Sequence, residues 1–290
     1  MPVLTYGRSP DLPALFAKAV VTGRFGGGAV PPTTAQRRGV AVDLDHLVDY
    51  AHLLGFTVGS ALPVTYPHVL AFPLQVALMA RRDFPFPLVG LVHVENVVTW
   101  TRPLAPTEPL DLAVSAGNLR PHRRGRLVDL VAEVSVAGEP VWRGVSSYLA
   151  RGEGDPTAPT GDEPDPTAVA AVAARPDGAR WRFGEDAGRR YGAVSGDVNP
   201  IHLHALTARP LGFPSAIAHG MATYGRVVAS LGRLVPPAGT SHVWFRRPVR
   251  LPSTTLLKAA PDGSLAVLLS ARPGSDGAPV EHLVVATTPA

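Results

Sequence analysis

The chain has 290 residues, of which 46% are hydrophobic and 17% are charged, so it has ample material for a core in one large domain or two smaller ones. It contains no cysteine, which excludes disulfides and thiolate metal sites and suits a reducing cytoplasm. The net charge is +4, but no basic run is interleaved with aromatic residues, so the sequence does not favour a nucleic-acid partner.

The basic charge comes almost entirely from arginine, since lysine occurs only at Lys18 and Lys258. Richness in arginine, alanine, proline and glycine is typical of a GC-rich genome. The alternative is that some arginines bind an anionic ligand such as a phosphate.

Residues 1–38 are predicted to form an irregular arm, because RFGGGAVPPTTAQRRG is punctuated by glycine and proline. The apolar stretch LPALFAKAVV is short, is interrupted by Lys18 and follows no basic segment, so we expect no secretory signal. No apolar run reaches the roughly 18 residues that a membrane span needs. We therefore expect a cytoplasmic protein without a membrane span.

The rest of the chain is predicted to be two related halves, residues 39–150 and 179–290, joined by a linker at 151–178 that is rich in proline, glycine, aspartate and threonine. Each half opens with a helical pattern that contains a tyrosine, Tyr50 or Tyr191. A loop with prolines and a long apolar helix follow in each half, and then strand-like runs. The sequence pattern of each half therefore predicts helices first and then a four- or five-stranded antiparallel meander.

The long helix of the second half is predicted over 220–234. Its apolar residues follow the three-and-four spacing of one helical face, and small residues fill much of the remainder, which is typical of a buried helix. The apolar positions are Met221, Tyr224, Val227, Val228, Leu231 and Leu234.

The stretch SGDVNPIHLH, residues 195–204, carries the most distinctive polar pattern. Asn199 is a good N-cap and Pro200 suits the first position of a helix, so we expect a loop that ends at Asn199 and a short helix after it. His202 then lies in the first turn, and the break lets it face the same water as Asp197 in the loop. The alternatives are a plain turn and a structural histidine. A metal site formed by Asp197, His202 and His204 is disfavoured, since the two histidines are two residues apart and would not share a helix face.

Two motifs resemble known ones. Tyr191 with the run SGDVNPIH resembles the hydratase signature of MaoC-like proteins, and AHGM at 218–221 resembles a second segment of that family. In the first half, VTYP, DFPFP and HVEN resemble the actinobacterial double-hotdog (3R)-hydroxyacyl-thioester dehydratases, the (R)-specific enoyl-CoA hydratase type.

The resemblance implies an α+β double hotdog, in which two antiparallel sheets each wrap a long central helix. It also implies interconversion of trans-2-enoyl and (3R)-3-hydroxyacyl thioesters, without a metal or cofactor. Asp197 and His202 carry over as the catalytic pair. The remaining assignments are a backbone N–H donor for the thioester oxygen at Gly220, and orienting or supporting roles for Ser195, Asn199 and His219.

The first half lacks this signature, because alignment of the two tyrosines places Phe56 opposite Asp197. We therefore expect one catalytic site per chain, with apolar residues of the first long helix as candidates for an acyl pocket: Leu70, Phe72, Leu74 and Val76.

The expected substrate is an acyl thioester of coenzyme A or of an acyl carrier protein. Arg246 and Arg247 are candidate contacts for its phosphates, as is the run Arg120–Arg124, although all of these could be solvated arginines. The expected assembly is a monomer or a homodimer. Two other functions remain open, an acyl thioesterase of the same fold and a non-catalytic acyl-binding subunit.

Overall fold

The computed structural model describes residues 2–22, 28–159 and 161–290. Within these residues, eleven strands form one continuous sheet and eight α-helices accompany it. Residues 23–27 of the predicted arm and Thr160 of the predicted linker lie outside the described residues.

The elements of the first part are β1 Val3–Thr5, α1 Leu12–Thr22, β2 Thr34–Val40, α2 Leu44–Leu54, α3 Tyr66–Met79, β3 Val92–Trp100, β4 Leu110–His122, β5 Gly125–Val136 and β6 Glu139–Arg151. Those of the second part are α4 Pro166–Ala173, β7 Ala179–Phe183, α5 Ala187–Ser195, α6 Pro200–Leu203, α7 Ala205–Ala208, α8 Gly220–Leu231, β8 Gly239–Phe245, β9 Ser253–Ala259, β10 Leu265–Ser270 and β11 Glu281–Pro289.

The strand order shows the internal repeat directly. The order is β1-β2-β4-β5-β6-β3-β8-β11-β10-β9-β7, so the five strands from β2 to β3 are mirrored by the five from β8 to β7. All described pairings are antiparallel except β1 with β2. The halves join where β3 pairs with β8, with Val97 opposite His242. The predicted double hotdog is therefore present, with its two sheets joined edge to edge into one.

The predicted meander is correct only for β4–β5–β6 and β9–β10–β11. The first strand after each long helix, β3 or β8, returns to pair with the last strand of its half. In addition, each half has a strand before its helices, β2 or β7, that sequence reasoning missed. These short strands are defined by the partners they pair with, β4 and β9, rather than by an apolar pattern of their own.

Both long helices are buried as predicted. All the residues of α3 except Leu70 are buried, and α8 buries the face that carries Tyr224 and Val227. The predicted end of the second helix is wrong, because α8 stops at Leu231 and a 3-10 turn follows at 232–234. Leu234 is consequently 47% exposed and does not belong to the buried face.

The predicted irregular arm is corrected by the structure. Residues 1–38 include β1, α1 and most of β2, and β2 forms ladder hydrogen bonds with β4. Leu12 and Phe16 of α1 are buried in the main core. The linker also contains structure, since Val169 and Val172 of α4 pack in a second apolar cluster against Val267 of β10. The domain boundaries themselves remain a prediction.

In the part of the chain that the structure describes, no helix combines the length and apolar character that a membrane crossing requires.

Candidate active site

The loop that carries Asp197 is shaped by the end of α5. The helix stops at Ser195 because Gly196 adopts a left-handed conformation with φ of 73°. The Ser195 hydroxyl donates to the carbonyl of Tyr191 at 2.9 Å and accepts from the N–H of Asp197 at 3.2 Å. Ser195 therefore links the last helical turn to the loop.

The break at Asn199-Pro200 has the predicted geometry. Asn199 is the N-cap of α6, and its side-chain oxygen accepts from the N–H of Ile201 at 3.4 Å. The N–H of Asn199 donates to Oδ1 of Asp197 at 3.1 Å. This bond restrains the carboxylate, and its other oxygen, Oδ2, lies 3.8 Å from Nε2 of His219.

His202 is held in one tautomer by its surroundings. Its Nδ1 lies 2.9 Å from the carbonyl of Ile217, and a carbonyl only accepts, so Nδ1 is the protonated nitrogen. Nε2 is therefore left as an acceptor. The pKa of His202 lies below its usual 6.5, because burial disfavours the charged ring more than the nearby Asp197 favours it. A buried, neutral imidazole with a free acceptor nitrogen can take a proton from a water.

His219, for which the sequence suggested an orienting or supporting role, lies beside His202. Its Nε2 donates to the backbone carbonyl of Asp197 at 3.0 Å, and its ring stacks on that of His202 with 3.6 Å between centroids. Its Nδ1 is buried without a hydrogen-bond partner. Burial, followed by the repulsion that a protonated His202 would exert, holds the pKa of His219 well below 6.5, so this ring is also neutral. It positions the loop through a backbone contact.

Asp197, His202 and His219 converge on one point. One side-chain atom from each lies within 4.8 Å of the others, close enough for a single water to bridge them. Burial raises the pKa of Asp197 above 3.8, against the opposing effects of His202 and the Asn199 N–H. A carboxylate and two imidazoles also have the chemistry of a zinc site. However, His219 Nε2 already donates its hydrogen to Asp197, so the set fits a hydrogen-bonded water better than a metal.

His204 was considered for a metal site with Asp197 and His202. It instead forms the N-cap of α7, where its Nδ1 accepts from the N–H of Leu206 at 3.2 Å. The third side chain of the convergent group comes from the AHGM segment.

Gly220 begins α8 as predicted, and it lines the same cavity as Asp197 and His202. The first N–H groups of a helix have no partner within it, so they are available to a ligand oxygen. A Cβ atom at position 220 would lie 3.0 Å from the ring of Phe245. Glycine therefore lets Phe245 pack directly against the start of the helix.

The cavity has a volume of about 800 Å³ and is lined by both halves of the chain. Of the four apolar residues of α3 proposed for an acyl pocket, only Phe72 lines it. The run Arg120–Arg124, predicted as a phosphate contact, also lines the cavity, whereas other lining residues of the first half were missed, among them His68, His93 and Tyr148. His93 begins the HVEN run and His68 follows VTYP, but neither residue was assigned a place in the site, and the cavity joins them to residues of the second half.

Another residue of the first half that sequence reasoning missed, His46, holds the end of α5 that precedes the signature loop. His46 of α2 donates from Nε2 to the carbonyl of Val194 at 2.7 Å and accepts at Nδ1 from the Tyr66 hydroxyl at 2.8 Å. The end of α5 is thus bonded to α2 and to the start of α3.

Several arginines line the cavity, but they are not equivalent. Arg246 pairs with Glu163 at 2.7 Å and lies 3.5 Å from Glu281, whereas no ion pair of the Arg247 guanidinium occurs among the described residues. Arg120 is bound to Asp129 at 2.7 Å. Arg247 is therefore the member of the predicted pair that is available to an anion.

Comparisons with known proteins place the chain among related sequences and structures. Residues 157–264 match the family model "MaoC like domain". The chain is 39% identical over 231 residues to 3-hydroxyacyl-thioester dehydratase X of Mycobacterium tuberculosis, which covers 80% of this chain and 81% of that protein. A 65-residue segment is 38% identical to 3-hydroxybutyryl-CoA dehydratase of Methylorubrum extorquens and covers 21% of this chain and 41% of that protein.

Among solved structures, HtdX of M. tuberculosis superposes with a TM-score of 0.71 at 35% identity, over 88% of this chain and 98% of that chain. A putative oleoyl thioesterase of Lactobacillus plantarum shares only the fold, at 11% identity over 90% of this chain and 96% of that chain, with a TM-score of 0.51. The extent of the match to the M. tuberculosis dehydratase, together with the family model over the second half, shows that this chain belongs to the MaoC-like dehydratase family.

Proposed function

We propose that this protein is a hydro-lyase of fatty-acid metabolism that interconverts trans-2-enoyl thioesters and (3R)-3-hydroxyacyl thioesters. The observation that carries the proposal is the convergence of three side chains, Asp197, His202 and His219, in the cavity. One polar atom of each lies within 4.8 Å of the others. Hydration needs a water made nucleophilic towards C3 and a proton delivered to C2. A carboxylate and a neutral imidazole that share one water are suited to both tasks.

In the hydration direction, the water oxygen bonds to C3 as the C2–C3 double bond opens. The pair takes up one proton from the water and returns one proton to C2, so the net addition is one hydroxyl and one hydrogen. Dehydration follows the same path in reverse. His202 Nε2 is available to accept a proton because Nδ1 is occupied by the Ile217 carbonyl.

Negative charge develops on the thioester oxygen as C3 is attacked. The N–H of Gly220 at the start of α8 is the proposed donor to this oxygen, supported by its place in the cavity wall beside His219. A preorganised donor of this kind contributes about 3–4 kcal/mol in other enzymes. Ser195, Asn199 and His219 hold the loop that presents Asp197.

The thioester handle is coenzyme A or the phosphopantetheine of an acyl carrier protein. Its phosphates are proposed to lie at the arginine-lined mouth, where Arg247 is a better candidate than Arg246 because Arg246 is paired with Glu163. The chain is proposed to act in the cytoplasm as a monomer or a homodimer. One site per chain is expected, since Phe56 stands opposite Asp197 in the repeat and stacks on Tyr50.

The test is hydration of crotonyl-CoA and longer trans-2-enoyl-CoA substrates, followed as loss of the enoyl absorbance, with chiral analysis of the product. We expect the (3R)-hydroxyacyl thioester and no free thiol. Release of free thiol would instead indicate a thioesterase. Binding of every acyl thioester without turnover would indicate an acyl-binding subunit.

A further inference from the structure

The last turn of α5 is bonded to a side chain from the other half of the chain. The last four carbonyls of a helix have no partner within it. At this helix end, the carbonyl of Gly192 accepts from the N–H of Gly196, and that of Val194 accepts from Nε2 of His46 at 2.7 Å. His46 belongs to α2, 148 residues away along the chain, and its imidazole therefore caps the C-terminus of α5.

The imidazole of His46 is held in one orientation. A carbonyl oxygen only accepts, so the proton is on Nε2, and Nδ1 accepts from the hydroxyl of Tyr66 at 2.8 Å. The Tyr66 side chain is fully buried at the start of α3. Both ring nitrogens are thus paired, and the hydrogen bonds run from Tyr66 to His46 and from His46 to Val194.

The last turn of α5 determines where Asp197 lies. The chain turns back onto the helix at Gly196, and the N–H of Asp197 donates to Ser195 Oγ at 3.2 Å. The Asp197 carbonyl approaches the helix so closely that a Cβ atom added at Gly192 would lie 2.9 Å from its oxygen. A shift of the Val194 carbonyl, which lies in the same turn, is therefore transmitted to the backbone of Asp197.

The internal repeat shows that this donor accompanies the half with the signature. The helices α2 and α5 are equivalent in the two halves, since Tyr50 of one corresponds to Tyr191 of the other. With this alignment, the counterpart of His46 is Ala187, whose side chain has no hydrogen-bond donor. The alignment therefore provides a donor for the helix end that leads into Asp197, and none from Ala187 for the other helix end.

We propose that His46 is a positioning residue for the reaction, which holds the last turn of α5 so that Asp197 and His202 share one water. This inference rests on the proposed function, since it adds a residue of the first half to the same site. His46 is not among the residues that line the cavity, so it acts through the Val194 carbonyl and not on the substrate. The half without the signature thereby supports catalysis in the other half.

Substitutions that distinguish the two ring nitrogens provide the test. In His46→Gln an amide nitrogen replaces Nε2 and keeps the donor to Val194, whereas the shorter amide of His46→Asn reaches only the position of Nδ1. We expect His46→Asn to lower kcat for crotonyl-CoA by about three- to tenfold with little change in KM, because one half-buried hydrogen bond is lost. His46→Gln should retain most of kcat. His52→Ala, at an exposed position of the same helix, is the matched control.

A purely structural role would lower stability without this pattern in kcat. Leu47→Val trims buried packing from the same helix and removes no donor, so it should lower the melting temperature and keep kcat. Rates are measured well below the melting temperature of every variant. The proposal is overturned if His46→Asn keeps the wild-type kcat, if His46→Gln is as slow as His46→Asn, or if Leu47→Val loses as much kcat as His46→Asn.

Amide hydrogen exchange tests the positioning without a rate. The N–H of Asp197 is bonded to Ser195 and that of Asn199 to the Asp197 carboxylate, so both report on the loop. We expect both to exchange at least about three times faster in His46→Asn and at close to the wild-type rate in His46→Gln.

The two measurements separate this inference from the proposed function. Turnover of crotonyl-CoA by the wild type and, at the same rate, by His46→Asn would overturn the inference and keep the function. If the wild type does not turn over crotonyl-CoA, the proposed function fails and the exchange rates alone decide. Faster exchange of the loop in His46→Asn then supports the positioning role, and unchanged exchange overturns it.

Discussion

The imidazoles of His202 and His219 lie face to face, 3.6 Å apart at their centroids, and each donates to a backbone carbonyl, one to Ile217 and the other to Asp197. Protonation of one ring would disfavour protonation of the other, so the stacking lowers the pKa of His219 further. The signature loop and the start of α8 are thereby joined through their side chains. The geometry of the proposed site therefore includes this contact as well as the signature itself.

Substitution of the catalytic pair should remove most activity. We expect Asp197→Asn and His202→Gln each to lower kcat/KM for crotonyl-CoA by about 10²–10⁴-fold, because each removes a group that exchanges protons with the shared water. The measurement is the initial rate of enoyl loss. Asp49→Asn and His52→Ala, at exposed positions of α2, are matched controls that should keep the wild-type rate. Retention of the full rate by both site variants would refute the assignment.

His219 should act on kcat rather than on substrate binding. In His219→Phe the stacked ring remains but the donor to the Asp197 carbonyl is lost, so the loop is less well fixed. We expect kcat to fall by about 10–100-fold with little change in KM, which corresponds to the loss of one buried hydrogen bond. His219→Gln should recover part of kcat if its amide reaches the same carbonyl. A rise in KM at constant kcat would place His219 in substrate binding instead.

Gly220→Ala should lower kcat/KM for crotonyl-CoA by at least about tenfold, since the added Cβ lies 3.0 Å from Phe245 and narrows access to the helix N–H. The double variant with Phe245→Leu relieves the contact with the ring. If the double variant stays slow, the rate loss comes from blocking the close approach of the thioester to the Gly220 N–H. Full recovery of the rate would instead attribute the loss to the clash with Phe245 and would contradict the donor role of Gly220. Gly117→Ala is the control, because no atom lies within 4 Å of a Cβ added there.

Stability should decline as the pH falls below the usual histidine pKa of 6.5. Burial lowers the pKa of several histidines, and unfolding frees them to bind protons that the folded state excludes; they include His68, His93, His202 and His219. Stability is therefore fully present above pH 6.5 and is lost as the pH falls towards the folded values of about 4 for His68 and about 3 for His93. Each group contributes at most about 1.4 kcal/mol per pH unit.

Urea unfolding at pH 7.5, 6 and 5 measures this dependence. We expect the free energy of unfolding to fall across the series, and His68→Phe to flatten the slope by removing one of the titrating groups. Exposed His52→Ala should leave the slope unchanged. A stability that is constant from pH 7.5 to 5 would contradict the buried, neutral state of these rings.

The sequence by itself determined the local geometry of the signature. Gly196 and the Asn199-Pro200 pair act through steric limits and capping bonds within a few residues, so the end of α5, the loop and the start of α6 were all predictable. The repeat and the two long buried helices were predictable as well, since their apolar pattern needs no knowledge of the partner. The prediction of an irregular arm was wrong because β2 forms a strand only through its pairing with β4.

Only the tertiary structure decided which distant side chains complete the site. His219 reaches Asp197 across 22 residues, and His202 reaches the Ile217 carbonyl across 15. His68 and His93 enter the cavity because β3 and β8 pair at the centre of the sheet. Local sterics act along the chain and are visible in the sequence, whereas these contacts depend on the register of a long-range pairing and on which face of each strand is turned inwards.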